Sequence, residues 1–241
     1  SGRALMASGR YDRAANMLAS GPSAQREVYT FYNMGVALFS AGREREGRAV
    51  LDRLSRLSMD SMRDVRLRDR ASLVLGWHYF SIDRPAVARY VLARVSLEGP
   101  YAAPALLGVG WANVVELEGD ASDGLSPRDA ERVLAAMVPW MRLIEHDRMD
   151  PSVQEALLGI PYLLEQIGHN DEAVSRYLDA AAVLDTAAIY LDAGIASLRD
   201  RLLINTLIST GDQNSMGRDW YVTGLPDMPA TYWITHLIAD H

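Results

Sequence analysis

Apolar residues recur three and four positions apart along most of this 241-residue chain, the spacing of one face of a helix. Phe31, Met34 and Leu38 predict a helix over 27–40. Ala49, Leu51, Leu54 and Leu57 predict its partner over 43–57, beyond a break at Gly42. Ahead of them, 4–20 reads as the end of one helix, a turn at Gly9 and a second helix, closed by Gly21-Pro22-Ser23. Met59, Met62 and Val65 stand three apart and predict extra helix before a third pair, 73–81 and 85–96, with Pro85 in a first turn where it is tolerated. A fourth pair opens at 104–117. The stretch 118–127, with three acids, two glycines and a proline, reads as a loop. Ser126 and Pro127 then start a helix through Val133, Met137, Trp140 and Leu143, which Pro139 should kink. The fifth pair is 153–167 and 171–184, with Pro161 a second expected kink. A separate helix over 185–209 carries Ala188, Leu191, Ile195, Leu198 and Leu202 on one face. A turn follows at 211–215, and the tail holds Trp220, Tyr221, Tyr232 and Trp233, with Pro229 opening a short last helix.

Two stretches are near-copies: 72–80 and 106–114 each run from apolar residues through a glycine to a tryptophan. Gly76 and Gly110 stand 34 residues apart (110 − 76), and Gly9 and Gly42 stand 33 apart (42 − 9). Such a period is that of a helix–turn–helix unit that stacks on its neighbour. Gly35 to Gly76 is longer, 41 residues (76 − 35), about seven more than one period.

Composition removes several function classes. The chain has no cysteine, and all 24 basic residues are arginine. Thiolate nucleophiles, disulfides and Cys metal sites are out, and so are Schiff-base chemistry and a Walker-A lysine. A net charge of −7 with dispersed arginines argues against nucleic acid. No apolar run approaches the roughly 18 residues of a membrane span, so direct membrane insertion is not expected. The opening Ser1-Gly2 reads as a processed or trimmed product.

The sharper motifs are weak. Gly108-Val109-Gly110 has no preceding strand, as a nucleotide loop would need. Glu116, Glu118, Asp120 and Asp123 lack EF-hand spacing. No histidine pair stands three or four apart; His78, between Trp77 and Tyr79, reads as a satisfied core or groove histidine. No cofactor and no metal are expected.

The units resemble the tetratricopeptide repeat family. The third matches best, with Leu75-Gly76, Tyr79, Ala88, Leu92 and Pro100. The second gives Met34-Gly35, Leu38, Gly47 and Leu51; the fifth gives Leu164, Gly168, Ala173, Tyr177 and Ala180. Gly9, Tyr11, Ala14 and Leu18 form a half-unit, and the fourth keeps Gly110, Ala136 and Trp140. Pro161 in place of the helix glycine, the insert and the longer second-to-third spacing depart from the pattern. The resemblance implies an all-α, right-handed α-α superhelix: an array of about five hairpins over 1–185, then a capping helix and C-terminal segment over 186–241.

The resemblance also implies a concave groove lined by the first helices. Carried over by register, the groove residues are Tyr32, Val36, Phe39, Leu73, Trp77, Phe80, Leu107, Trp111, Val114, Leu158, Tyr162 and Glu165. The surface is apolar and aromatic, suited to an amphipathic helix or an extended apolar peptide. The Lys/Asn/Arg set that clamps a terminal carboxylate in some members is missing; Asn33 alone fits it. The implied function is a non-enzymatic adaptor or scaffold for another protein or peptide, with a bacterial envelope or periplasmic assembly favoured over the cytoplasm and the compartment left open. The alternatives are a self-assembling subunit that docks 210–241 into a neighbour, and a helical-repeat enzyme using groove acids such as Glu165 with His78.

Overall fold

The computed structural model describes residues 2–20, 28–58, 61–120, 124–202, 205, 228 and 230–233. Among these every regular element is helical. The chain divides into two compact units, Ser1–Tyr177 and Leu178–His241. In the first unit α1 (Gly2–Ala7) pairs with α2 (Tyr11–Ala19), α3 (Val28–Ser40) with α4 (Glu44–Ser55), and α5 (Met62–Ser81) with α6 (Pro85–Leu92). Next come α7 (Ala102–Asp120), α8 (Ala130–Ala136), α9 (Val138–Leu143), α10 (Pro151–Gln166) and α11 (Asn170–Arg199). This is an all-α stack of helical hairpins. From α1 to α6 each helix packs chiefly on its neighbours in sequence, whereas α9 packs most on α7.

One close approach repeats through the stack. A Cβ added to Gly2 would strike Leu18, one added to Gly35 would strike Leu51, and one added to Gly76 would strike Leu92. Each pair is sixteen residues apart (18 − 2, 51 − 35, 92 − 76). The glycine lets the two helices of a hairpin meet, and the leucine fills the gap between them. Gly110 makes the same contact with Trp140, the insert having lengthened the interval. The turns keep this register. Seven residues past Gly2, Gly35 and Pro161 stand Gly9, Gly42 and Gly168, with φ of 70°, 75° and 81°; seven past Gly76 stands Asp83, with φ 57°. These left-handed positions end one helix and free the next to start.

The remaining helix ends follow local chemistry. The Ser61 hydroxyl accepts the Asp64 amide at 3.1 Å and starts α5, so the extra residues before the third pair lengthen its first helix. Met59 lies outside the described residues. The Asp150 carboxylate accepts the Ser152 amide at 2.7 Å, and Pro151 takes the first position of α10.

Three expectations are corrected. Residues 118–120 of the expected loop continue α7. Pro139 does not kink one helix: the segment divides at Met137 into α8 and α9, with Pro139 in the first turn of α9, where its missing N–H costs no hydrogen bond. No break separates a fifth-pair helix from a capping helix, for α11 runs unbroken from Asn170 to Arg199. That merger changes the premise of the membrane reading, for α11 is, by length and composition alone, apolar enough to cross a membrane. The expected turn at 211–215, and Trp220, Tyr221 and Pro229, lie outside the described residues. Within the second unit Ala180, Val183, Ala187, Ser197 and Ala230 are buried.

Candidate partner groove

The first helices of the hairpins, α3, α5, α7 and α10, lie side by side, since α3 touches α5 and α7 touches both α5 and α10. Residues at matching register on these four helices therefore form strips across them. The structure sorts the expected groove residues into three groups. Val36, Phe39, Leu73, Trp77, Phe80 and Trp111 are half-buried. Leu158, Tyr162 and Glu165 are exposed, Leu158 and Tyr162 to 43% and 42%. Tyr32, Leu107 and Val114 are buried and belong to the core. Val114 and Leu107 share a cluster with Val133, Trp140 and Leu163, because α8 and α9 close over that side of α7. Tyr32 packs with Leu51, Leu54 and Leu75; burial pushes its hydroxyl above the usual tyrosine pKa, opposed by Arg70, whose guanidinium stands 5.5 Å over the ring.

The two tryptophans differ. Trp77 lies against Gly108 of α7 and edge-on to Phe80 at 5.7 Å, so much of its ring holds α5 to α7. Trp111 packs edge-on against Trp140 at 4.9 Å, and its indole N–H donates to Glu155 Oε1 at 2.6 Å. That bond fixes the ring at the junction of α7 and α10. Glu155 was not among the expected residues, although it stands six before Pro161 as Arg70 stands six before Gly76, and that matched register was the available signal. On α10, Glu155, Leu158, Tyr162 and Glu165 occupy one stripe, three to four residues apart. Burial pushes the Tyr177 hydroxyl up in pKa, and the charge of Glu165 adds to it.

His78 stands 4.8 Å from the Phe39 ring centroid, edge to face. Its Nε2 is buried without a hydrogen-bond partner, so the expectation of a satisfied histidine is corrected. Burial lowers its pKa; Glu44 pulls it up and Arg48 pushes it down. Glu165 lies on another first helix, α10, and no contact joins it to His78 among the described residues.

An open cleft of ≈ 810 Å³ is lined by Asp83, Arg89, Asn113, Glu116 and Arg132 of the α6–α8 region. It shares no residue with the apolar strip. Two of its charges meet, Arg89 reaching Glu116 at 3.2 Å, while Arg132 reaches Asp129, outside the lining, at 3.6 Å. Among the described residues no group of three or more His, Asp or Glu side chains is placed to hold a metal ion.

No protein-family profile matches the chain, and no curated protein matches its sequence. Solved structures do match. A crystal structure of MamA aligns over 78% of this chain and 96% of its own, at 19% identity and a TM-score of 0.58. MamA from residue 41 to its end, from Desulfovibrio magneticus RS-1, aligns over 77% and 92%, at 17% identity and a TM-score of 0.51. MamA AMB-1 aligns over 77% and 96%, at 19% identity and a TM-score of 0.50. At these identities the likeness is one of fold, and it places the chain among helical-repeat proteins.

Proposed function

We propose that the chain is a tetratricopeptide-type, non-catalytic scaffold that binds a protein segment on the strip formed by α5, α7 and α10. The observation that carries this reading is the pair of large apolar side chains left in water on α10, Leu158 and Tyr162, beside an indole, Trp111, anchored by its own hydrogen bond. Exposed aromatics next to a rigid neighbour make efficient anchors, because little side-chain freedom is lost on contact. Helical-repeat proteins expose such surfaces along the stack, where many weak contacts add up.

The test is crosslinking-based partner capture from the native host with wild-type chain and with Leu158→Ser/Tyr162→Ala. Both residues are exposed, so the variant should keep its helicity and melting temperature. Loss of a captured partner with an unchanged fold supports the reading. Retention of every partner by the variant overturns it.

A further inference from the structure

The charges that border the strip point to what kind of segment it takes. Position for position, Arg70 on α5 and Glu155 on α10 hold the same register, so that edge of the strip is basic at α5 and acidic at α10. At the α10 end the acids are two. Glu155 and Glu165 flank Leu158 and Tyr162 on one helix face, and among the described residues neither has an arginine partner. Glu155 accepts a hydrogen bond from a neutral donor, the Trp111 indole, which fixes that carboxylate in place without cancelling its charge.

Resting on the groove reading above, we propose that the occupant of the α10 end is a basic-apolar protein segment: apolar side chains over Trp111, Leu158 and Tyr162, with arginine or lysine on both sides meeting Glu155 and Glu165. The spacing makes this specific. Ten residues of helix separate the two acids, about 15 Å at the helical rise. An extended segment spans that distance in about four or five residues. Its basic side chains should therefore stand four or five apart, with the apolar ones between them. A segment with acidic flanks would place like charges together, which costs affinity and slows the encounter.

Two pools of end-blocked, fluorescently labelled peptides test this. They share a degenerate centre of Leu, Phe, Val and Ser; one pool is flanked by Arg and the other by Glu. Anisotropy titrations with the full chain should show the Arg-flanked pool binding about tenfold tighter or more. That margin should shrink between about 50 mM and about 300 mM salt. It should vanish or invert in Glu155→Lys/Glu165→Lys. Glu165→Lys alone leaves the Trp111 bond intact and should lose part of the preference with no change in helicity. Equal binding of the two pools, or preference for the Glu-flanked one, overturns the charge assignment while leaving the groove reading standing. Binding of neither pool removes the peptide groove and this inference with it. A mass that doubles with concentration would in that case assign the face to a second copy of the chain.

Discussion

The indole N–H of Trp140 donates to the main-chain carbonyl of Leu107 at 3.1 Å, and that bond seats a fully buried ring between two glycines. Gly110 of α7 lies under one part of the indole and Gly159 of α10 under another. Three helices meet at this ring, with no space left for a methyl group on either side. Gly110→Ala should therefore push the indole out of place and cost about 1–3 kcal/mol. Trp140→Ala should cost about 3–5 kcal/mol through the cavity it leaves. Urea unfolding midpoints would measure both. A neutral Gly110→Ala would mean that α7 and α9 can slide apart without loss.

Asp83 is the one hairpin-turn position of this register where a left-handed backbone is carried by a residue other than glycine. Gly9, Gly42 and Gly168 occupy the matching sites. A side chain at positive φ is held against its own carbonyl, although Asp tolerates this better than most. Asp83→Gly should stabilise the protein by about 0.5–1 kcal/mol, read as a rise of about 1–4 °C in melting temperature. A fall would show that the Asp83 carboxylate stabilises its surroundings by more than the turn strain.

How far the sequence could be read depended on whether the information was local. Gly76 with Leu92 and Gly35 with Leu51 lie within single units, and their repetition exposed both the helices and their register. The long α11 was missed for a physical reason. The helices expected over 171–184 and from 185 are one, for Asp185 sits on the exposed side of a helix, where a carboxylate costs nothing, and no glycine or proline lies between Gly168 and Gly194. Val114 and Leu107 were placed in the groove by register alone; the insert moves α8 and α9 over them, and no residue spacing records that. The bond from Trp111 to Glu155 joins positions 44 apart, beyond the reach of any pattern along one helix.

Asp69 is another such case, an acid that the helical pattern gave no reason to bury. It is 1% exposed, and its Oδ2 accepts the Ser96 amide at 3.1 Å while Oδ1 meets Arg68 at 2.9 Å. The carboxylate thus ties α5 to the turn after α6. Asp69→Ala would leave the Ser96 amide and the Arg68 guanidinium without these partners, at a cost of about 1–3 kcal/mol. Asp69→Asn keeps an acceptor for the amide and should lose less. Equal losses for both variants would place the stabilisation in the Arg68 pair instead of the amide bond, and denaturant midpoints separate the two.

His78 should give the fold a measurable response to acid. Its ring contacts Phe39, its Nε2 is shut off from partners, and burial holds its pKa below the usual histidine value. Glu44 and Arg48 of α4 act on it with opposite signs, so burial decides the direction. In the unfolded chain the ring titrates near pH 6.5. Above that value both states are neutral here and the full stability is present. As pH falls through 6.5 the unfolded chain takes up a proton first, and stability drops until the folded state is protonated too. His78→Phe keeps an aromatic ring against Phe39 and removes the proton. The stability of the wild type should then fall away from that of His78→Phe between about pH 7 and pH 5, with a slope no steeper than about 1.4 kcal/mol per pH unit, the limit for one proton. Parallel pH profiles for the two proteins would show that His78 reaches solvent in the folded state. A wild type that gains stability over the variant on acidification would show that Glu44 outweighs burial.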